Sequence, residues 1–283
     1  MIEPKSISEN LMYSTLILTS GNHQATGFIY STPHNNLVVI ANRHFAEKTD
    51  KLDFSKTTLN DTVQSIFHLS DGTNKIVKGT VTWFLHPSED LAFFPLGQLL
   101  NPMVPLISPL TFFLRSIDES VIPSVEKTDS LSASEDVTMV GYPSGKYDSI
   151  NNYPLFRYGK TASHPAVDFE GKKLGMIDVP CLPGSSGSPV FVLNEGSYHE
   201  KTGAVVIGSR VFLLGVEVAM PTRFNIVKQI KTNPSTGAIE PDKDGHAILL
   251  DTNLVVVDDL SLGYYIKASE ILKFNSVFTT LGI

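Results

Sequence analysis

The sequence predicts an all-β fold. Short runs of apolar or β-branched residues, each bounded by turn residues, recur along the chain, whereas helical periodicity is scarce. Many short strands at such spacing are typical of β-sandwiches and β-barrels. The runs that we predict as strands cover residues 14–19, 27–30, 37–41, 76–85, 91–96, 137–142, 176–179, 190–193, 204–207, 211–220, 254–257 and 264–266.

Turn and helix signals complete this prediction. Asp71-Gly72 lies between two apolar runs, and this dipeptide favours a tight hairpin turn. A short C-terminal helix is predicted over residues 269–274, with Ser269 as its N-cap. Residues 224–230 are a second candidate helix.

The distribution of strand signals divides the chain into two halves. Residues 102–134 have few clean strand signals and include an acidic, Ser-rich portion. We therefore predict that they connect an N-terminal half, 1–101, to a C-terminal half, 135–283. Residues 231–245 are rich in Pro, Gly, Asp and Lys, which indicates a surface loop inserted before the last strands.

The composition is that of an ordinary globular protein, since 42% of the 283 residues are hydrophobic and 18% are charged. The single cysteine, Cys181, cannot form an internal disulfide, which fits a reducing compartment. The net charge of −7 disfavours nonspecific nucleic-acid binding. The polar N-terminus lacks the pattern of a secretory signal, and no run is long and apolar enough to span a membrane. We therefore expect a cytoplasmic protein that binds neither nucleic acid nor membranes.

A segment of small residues around Ser186 carries the strongest chemical signal. Residues 183–189 read PGSSGSP and directly precede an apolar run. A serine hydroxyl becomes a nucleophile only when a base removes its proton and donors stabilise the resulting oxyanion. Small residues let the backbone turn tightly, so that the N–H groups of Gly184 and Ser186 can point at one position. Taken alone, an ordinary Gly/Ser turn explains the segment equally well.

Two further segments supply a candidate base and a carboxylate to orient it. His44 follows the apolar run 37–41, and a general base needs such a fixed position and a pKa near neutrality. Asp90 precedes the apolar run 91–96, where it can accept the imidazole N–H and fix the tautomer. Taken singly, a structural histidine and a turn aspartate are the better interpretations.

Together and in this order, the three segments resemble those of the trypsin/chymotrypsin-like serine proteases, especially the bacterial, disulfide-free trypsin-like peptidase domains. The residues that carry the resemblance are Ala41-Asn42-Arg43-His44, Asp90-Leu91-Ala92 and Gly184-Ser185-Ser186-Gly187-Ser188-Pro189. Weaker matches are Ala25-Thr26-Gly27-Phe28-Ile29, Val140-Gly141-Tyr142-Pro143, Leu214-Gly215-Val216 and Leu262-Gly263-Tyr264-Tyr265-Ile266. The resemblance therefore extends over nearly the whole chain.

The resemblance implies a fold of two six-stranded-type, chymotrypsin-like β-barrels with a short C-terminal helix. Residues 1–101 would form the barrel that carries the histidine and the aspartate. Residues 102–134 would be the inter-barrel connection, and residues 135–283 would form the barrel that carries the serine.

The resemblance also implies a serine endopeptidase. Ser186 would attack a peptide carbonyl, His44 would take and return its proton, and Asp90 would stabilise the imidazolium. The N–H groups of Gly184 and Ser186 would form the oxyanion hole, and the reaction would need no metal and no cofactor. Asp90 is preferred to Glu89 because it matches the Asp-Leu-Ala pattern and is the more rigid.

The residue before the serine departs from part of the family. Members that are activated by cleavage carry Asp at this position, where it pairs with a new N-terminus, whereas this chain has Ser185. A zymogen switch of that kind is therefore not expected.

The resemblance places a substrate pocket between two segments. Its floor and walls would be formed by Pro180, Cys181, Leu182, Val216, Glu217 and Val218. Pro180 stands where trypsin-type enzymes carry an acid, so an apolar or small side chain is the expected preference. Glu217 is expected to point outward; pointing inward, it would favour a basic residue. Cys181 is expected to be a small buried wall residue.

Two other functions are weighed against an active endopeptidase. A catalytically silent module of the same fold would hold a peptide strand in its groove without cutting it. An esterase of the α/β-hydrolase fold would need its histidine last and alternating helices, and the sequence has neither. The expected partners are a protein or peptide substrate and, as a hypothesis, a regulatory protein, since the chain carries neither a secretory signal nor the zymogen aspartate.

Overall fold

The computed structural model describes residues 2–49 and 57–283. Helix α1 (Ile7–Ser14) precedes the strands of the first half, and the short helix α2 (Arg43–Ala46) follows the third strand. These strands are β1 (Thr15–Ser20), β2 (His23–Ser31), β3 (Leu37–Ala41), β4 (Glu47–Thr49), β5 (Thr57–Leu59), β6 (Thr62–Leu69), β7 (Asn74–Thr80), β8 (Phe84–Leu85), β9 (Ala92–Pro95) and β10 (Phe112–Phe113).

Short helical segments and a second set of strands follow. The segments between the halves are α3 (Gly97–Leu100), a 3-10 helix (Asn101–Met103), α4 (Val104–Ile107), a 3-10 helix (Glu119–Val121) and α5 (Val125–Asp129). The later strands are β11 (Asp136–Gly141), β12 (Leu155–Thr161), β13 (Leu174–Asp178), β14 (Pro189–Asn194), β15 (Ser197–His199), β16 (Val205–Ile207), β17 (Arg210–Ala219), β18 (Thr222–Ile230), β19 (Leu249–Asp259) and β20 (Gly263–Lys267). A 3-10 helix (Ala268–Phe274) and α6 (Asn275–Leu281) end the chain, and 3-10 turns lie at Pro143–Gly145 and Phe169–Gly171.

The second half contains a closed barrel, which confirms this part of the predicted all-β fold. Six antiparallel strands close in the order β11–β12–β13–β20–β17–β14. A cluster of buried side chains that includes Met139, Ile177, Val190 and Tyr265 packs in this half. The barrel therefore has an apolar core of its own, on which the loop that carries Ser186 is mounted.

The first half is an eight-stranded antiparallel sheet. Its order is β10–β6–β1–β2–β3–β9–β8, and β7 pairs with β6 from Thr62 to His68. Within residues 2–49 and 57–283, no hydrogen-bonded ladder closes this sheet, so the second of the two predicted barrels is not confirmed.

Strand β3 shows why the sequence before His44 is apolar at every position. Val38 and Ile40 belong to one buried cluster, and Val39 and Ala41 to another. Since successive side chains of a strand point to opposite faces, β3 is buried on both faces. This burial fixes the end of the strand, where His44 follows.

Two local predictions in the β-rich regions have opposite outcomes. The hairpin at Asp71-Gly72 is confirmed: β6 and β7 pair on either side of it, and the Asp71 carboxylate accepts the N–H of Thr73 at 2.9 Å. The helix predicted over residues 224–230 is wrong. These residues lie in β18, because their backbone groups pair across a hairpin with β19 instead of within a helical turn.

The C-terminal helix is confirmed, with a correction at its start. The helical segment begins at Ala268, with Lys267 rather than Ser269 in the capping position. It continues through α6, and the rings of Phe274 and Phe278 pack on Phe93 with centroids 4.9 and 4.8 Å apart. In the parts of the chain that the structure describes, no helix is long and apolar enough to cross a membrane.

Helix α1 was not predicted, although its signal is in the sequence. The Ser6 side chain accepts the N–H of Glu9, and the Glu9 carboxylate accepts the N–H of Ser6. This reciprocal pair is a capping box, for which a serine followed three residues later by a glutamate is the signature.

Candidate active site

The pairing of β3 with β9 brings His44 and Asp90 together. Ala41 lies opposite Ala92 in this pairing, so the residues just beyond these two strand ends meet. Asn42 is fully buried between them, and its side-chain amide donates to the Asp90 carbonyl oxygen at 2.9 Å. The loop that carries Asp90 is thus tied to the segment that carries His44.

Asp90 holds His44 by two hydrogen bonds. The His44 ring Nδ1 lies 2.7 Å from Asp90 Oδ2, and the His44 backbone N–H donates to Oδ1 at 2.8 Å. With Nδ1 as the donor, Nε2 is left as the proton acceptor of the ring. Glu89 is directed elsewhere, since its carboxylate accepts from Ser88 Oγ at 3.2 Å. The preference for Asp90 over Glu89 agrees with this geometry.

The electrostatics of the pair favour a charged carboxylate and a basic imidazole. Burial opposes ionisation of Asp90, but hydrogen bonds from the His44 ring, the charge of that ring and backbone N–H groups outweigh it and lower the pKa of Asp90. Burial likewise opposes protonation of His44, but its hydrogen bond with Asp90 and the charges of Asp90 and Glu217 raise the pKa of His44 above its ordinary value. The ring side chain is 48% exposed and therefore accessible to a substrate.

Residues 183–189, which we call the serine turn, lie between β13 and β14 and end at the first residue of β14. The turn is closed by backbone hydrogen bonds of 2.9 Å from the Ser185 N–H to the Leu182 oxygen and from the Ser188 N–H to the Ser185 oxygen. Ser186 lies at its centre and is half-buried.

Thr26 on β2 fixes the serine turn from the first half of the chain. Its backbone N–H donates to the Ser186 carbonyl oxygen at 2.9 Å, and its hydroxyl donates to the Gly184 carbonyl oxygen at 2.9 Å. The same hydroxyl accepts the N–H of Tyr142 at 3.1 Å. Gly187 has φ of +89°, and a Cβ there would lie 1.9 Å from the Thr26 carbonyl oxygen, so only glycine fits. Thr26 was not predicted as a functional residue; a polar residue within an apolar strand was the available signal.

Two backbone donors of the serine turn point to no acceptor. In the described part of the chain, the N–H groups of Gly184 and Ser186 make no hydrogen bond. Gly184 has φ of +87°, and a Cβ there would lie 2.8 Å from the Tyr142 oxygen, so the turn requires glycine here too. The pair of donors is suited to a developing negative charge on an oxygen.

Ser186 Oγ and the His44 ring are not hydrogen-bonded to each other within the described residues. Catalytic hydrogen bonds are often long before substrate binds and shorten in the complex. The structure therefore joins His44 to Asp90 directly, and joins the serine turn to the same half of the chain through Thr26.

The chain also matches the model of a known protein family. Residues 25–198, more than half of the 283-residue chain, match the trypsin-like peptidase domain. The chain belongs to the trypsin-like peptidase family. Membership supports a serine protease-type function with protein or peptide substrates. No curated protein sequence matches the chain.

Solved structures that are similar to this trypsin-like peptidase domain include proteases. The inactive form of the Rv3671c protease is 15% identical, with a TM-score of 0.43, and 93% of this chain and 87% of that one are covered. A serine-to-alanine mutant of Rv3671c from M. tuberculosis H37Rv, also inactive, has 15% identity, a TM-score of 0.45 and coverage of 95% and 88%. Deg5 has 14% identity, a TM-score of 0.46 and coverage of 75% and 81%.

Ser185, which precedes the candidate nucleophile of the trypsin-like domain, has an internal partner. Its hydroxyl lies 3.1 Å from Arg157 Nη1 on β12 and 3.3 Å from the Leu182 N–H. Ser185 is buried, so these contacts stabilise the turn on the side that faces the protein interior. No sequence pattern pointed to Arg157, because residues 155–161 were not predicted as a strand.

The predicted pocket residues fall into three groups. Pro180 and Leu182 are exposed, and Val218 is half-buried. Val216 is fully buried in the core with Phe191 and Ile266, on the opposite face of β17 from Glu217. Cys181 is buried as expected, and its thiol donates to the Val179 oxygen at 3.4 Å.

Glu217 does not point outward, and this expectation is wrong. Its exposure is only 2%, because its position on β17 faces the barrel rather than solvent. Its backbone N–H donates to the Ser188 carbonyl oxygen, and its backbone carbonyl oxygen accepts the Gly187 N–H, both at 2.9 Å. The residue therefore lies directly beside the serine turn.

Proposed function

We propose that the chain is a serine endopeptidase with Ser186 as nucleophile, His44 as general base and Asp90 as the residue that orients the base. The observation that carries the proposal is the pair of hydrogen bonds, 2.7 and 2.8 Å long, by which Asp90 holds the ring and the backbone of His44. This pair leaves Nε2 of His44 free to accept the serine proton, which is the arrangement that the reaction requires.

The serine turn supplies the other half of the mechanism. Attack of Ser186 Oγ on a peptide carbonyl gives a tetrahedral oxyanion, and the N–H groups of Gly184 and Ser186 are available to receive it. His44 then gives the proton to the leaving amine, and water hydrolyses the acyl-enzyme by the same steps. The reaction needs His44 Nε2 and Ser186 Oγ to come within hydrogen-bond distance when substrate binds.

Several finer expectations accompany this proposal. The substrate pocket is proposed to lie around the exposed residues Pro180 and Leu182 and the buried Cys181. The domain boundaries at residues 101 and 134, the cytoplasmic location and a regulatory protein partner stay predictions from the sequence.

Turnover distinguishes the endopeptidase from a silent peptide-binding module. We expect the purified chain to cleave members of a mixed peptide library, and Ser186→Ala to lower the rate by about 10⁴-fold or more. Mass spectrometry of the products gives both the rate and the cleavage positions. The matched control is Ser235→Ala, an exposed serine in the 231–245 segment, which should cleave like the natural chain.

The silent module predicts a different pattern. In that case the library peptides bind but stay intact, and Ser186→Ala changes nothing. Cleavage that survives Ser186→Ala undiminished would likewise contradict the proposed role of this residue.

A further inference from the structure

A buried carboxylate without a cation lies beside the serine turn. Glu217 is 2% exposed, and in the described ranges no Lys or Arg lies within ion-pair distance of it. Among the described residues, its Oε2 has no hydrogen-bond partner, and its side chain is hydrogen-bonded to the Cys181 thiol. Acidic side chains are almost never buried in this way unless they are paired, because an isolated charge is costly to desolvate.

The charge state of Glu217 reflects this environment. Burial, with a smaller contribution from the Asp90 charge, raises the pKa of Glu217 to about 7, although the Cys181 contact and the positive charges of His44 and Arg157 oppose the shift. Near neutral pH the group is therefore divided between its neutral and charged forms. A cation brought next to it would favour the charged form and would supply the missing partner.

The position of Glu217 identifies which part of a substrate could be that cation. Its backbone bonds to Gly187 and Ser188 place it next to the residue that would attack the scissile carbonyl. Its charge also acts on His44, so the carboxylate lies within electrostatic range of the candidate base. The side chain nearest to an attacked carbonyl is that of the residue preceding the scissile bond.

We propose that Glu217 selects substrates with arginine or lysine immediately before the scissile bond. The proposal rests on the proposed endopeptidase function and replaces the apolar preference that the sequence suggested. Because Oε2 is closed off from solvent, the exposed segment around Pro180 and Leu182, or the Glu217 side chain itself, has to move when such a residue enters.

Matched peptides test this specificity. The peptides differ only before the scissile bond, which carries arginine, lysine, citrulline or leucine; citrulline has the shape of arginine without its charge. We expect arginine or lysine to exceed leucine and citrulline in kcat/KM by about 100-fold, and Glu217→Gln to reduce that ratio by at least about tenfold, mainly through KM. Glu200→Gln, at an exposed site, is the control and should leave the ratio unchanged.

The pH dependence gives a second readout from the natural chain. The ratio of arginine to leucine turnover should rise as the pH passes about 7, because Glu217 becomes charged in this range. The ratio is taken between kcat/KM values, because kcat/KM reports the ionisation of the free enzyme, so the contribution of His44 is the same for both peptides. In Glu217→Gln the ratio should be independent of pH.

The outcomes separate this inference from the proposed function. If the natural chain cleaves none of the peptides and a fluorophosphonate fails to label Ser186, the endopeptidase proposal fails. If it is labelled and cleaves, but prefers leucine or has an arginine-to-leucine ratio that does not change with pH, only the role of Glu217 is overturned. The same holds if Glu217→Gln changes all substrates equally. If Glu217→Gln does not fold, the pH dependence of the natural chain decides.

Discussion

The His44–Asp90 pair and the serine turn reach their geometries in different ways. The pair depends on side chains: an aspartate carboxylate bonds to a ring and to a backbone N–H, and the Asn42 amide secures the aspartate. The serine turn depends mainly on its backbone: main-chain hydrogen bonds close it, and Thr26 holds two more of its carbonyl oxygens.

The difference has a chemical reason. In the proposed mechanism the base must have a set tautomer and pKa, and a neighbouring carboxylate provides both. The proposed oxyanion donors are N–H groups, whose direction only the backbone path can set. Substitutions in the pair should therefore change chemistry with little loss of stability, whereas substitutions in the turn should change folding and chemistry together.

Gly187→Ala, in the serine turn, should reduce both activity and stability and should have a larger effect than Asp90→Asn in the His44–Asp90 pair. The new Cβ would lie 1.9 Å from the Thr26 oxygen at a φ of +89°, so the turn has to move. We expect activity to fall below detection and the free energy of unfolding to fall by roughly 3 kcal/mol, as measured by urea denaturation.

Gly203→Ala is the matched control for this prediction. Gly203 has nearly the same φ, +88°, but nothing lies within 4 Å of the position where its Cβ would be. It carries the backbone penalty without the clash, and activity should be kept. Equal losses in both variants would show that the fit against Thr26 is unimportant, and the contrast between the two regions would be broken.

Asp90→Asn should have the smaller effect on stability and a large one on the rate. The asparagine oxygen can still accept the backbone N–H of His44, but the asparagine amide then donates to the ring Nδ1. The ring proton is therefore on Nε2, which cannot accept a proton from serine. We expect kcat to fall by about 10³ to 10⁴-fold with an almost unchanged midpoint of urea denaturation.

The residual activity of Asp90→Asn sharpens the comparison further through its pH dependence. Asp90 raises the pKa of His44, and the base acts in its neutral form, so activity of the natural chain should rise with pH through a midpoint above the ordinary histidine value. Without the carboxylate charge, burial dominates and the midpoint should move to lower pH. An unmoved midpoint would mean that Asp90 does not control the base.

The sequence predicted the parts of the site that local patterns encode. The apolar runs 37–41 and 91–96 are buried strands that pair with each other, which explains why His44 and Asp90 meet. The small residues 183–189 form a turn with glycines at positive φ. In each case a few adjacent residues determine the local structure.

Features that depend on distant contacts were not predictable in this way. Thr26 and Arg157 support the serine turn from other strands, and no local pattern shows which loop either side chain contacts. The direction of Glu217 depends on which face of β17 the barrel buries. Residues 224–230 were predicted as a helix but pair with β19, a partner that is distant in the sequence.

The most direct test of the central claim is to find which atom of the folded chain reacts with a fluorophosphonate. Peptide mapping by mass spectrometry should locate a single adduct on Ser186, and its formation should be lost on denaturation and strongly slowed in Asp90→Asn. Absence of an adduct from the folded chain, or an adduct on another serine with Ser186 unmodified, would contradict the account.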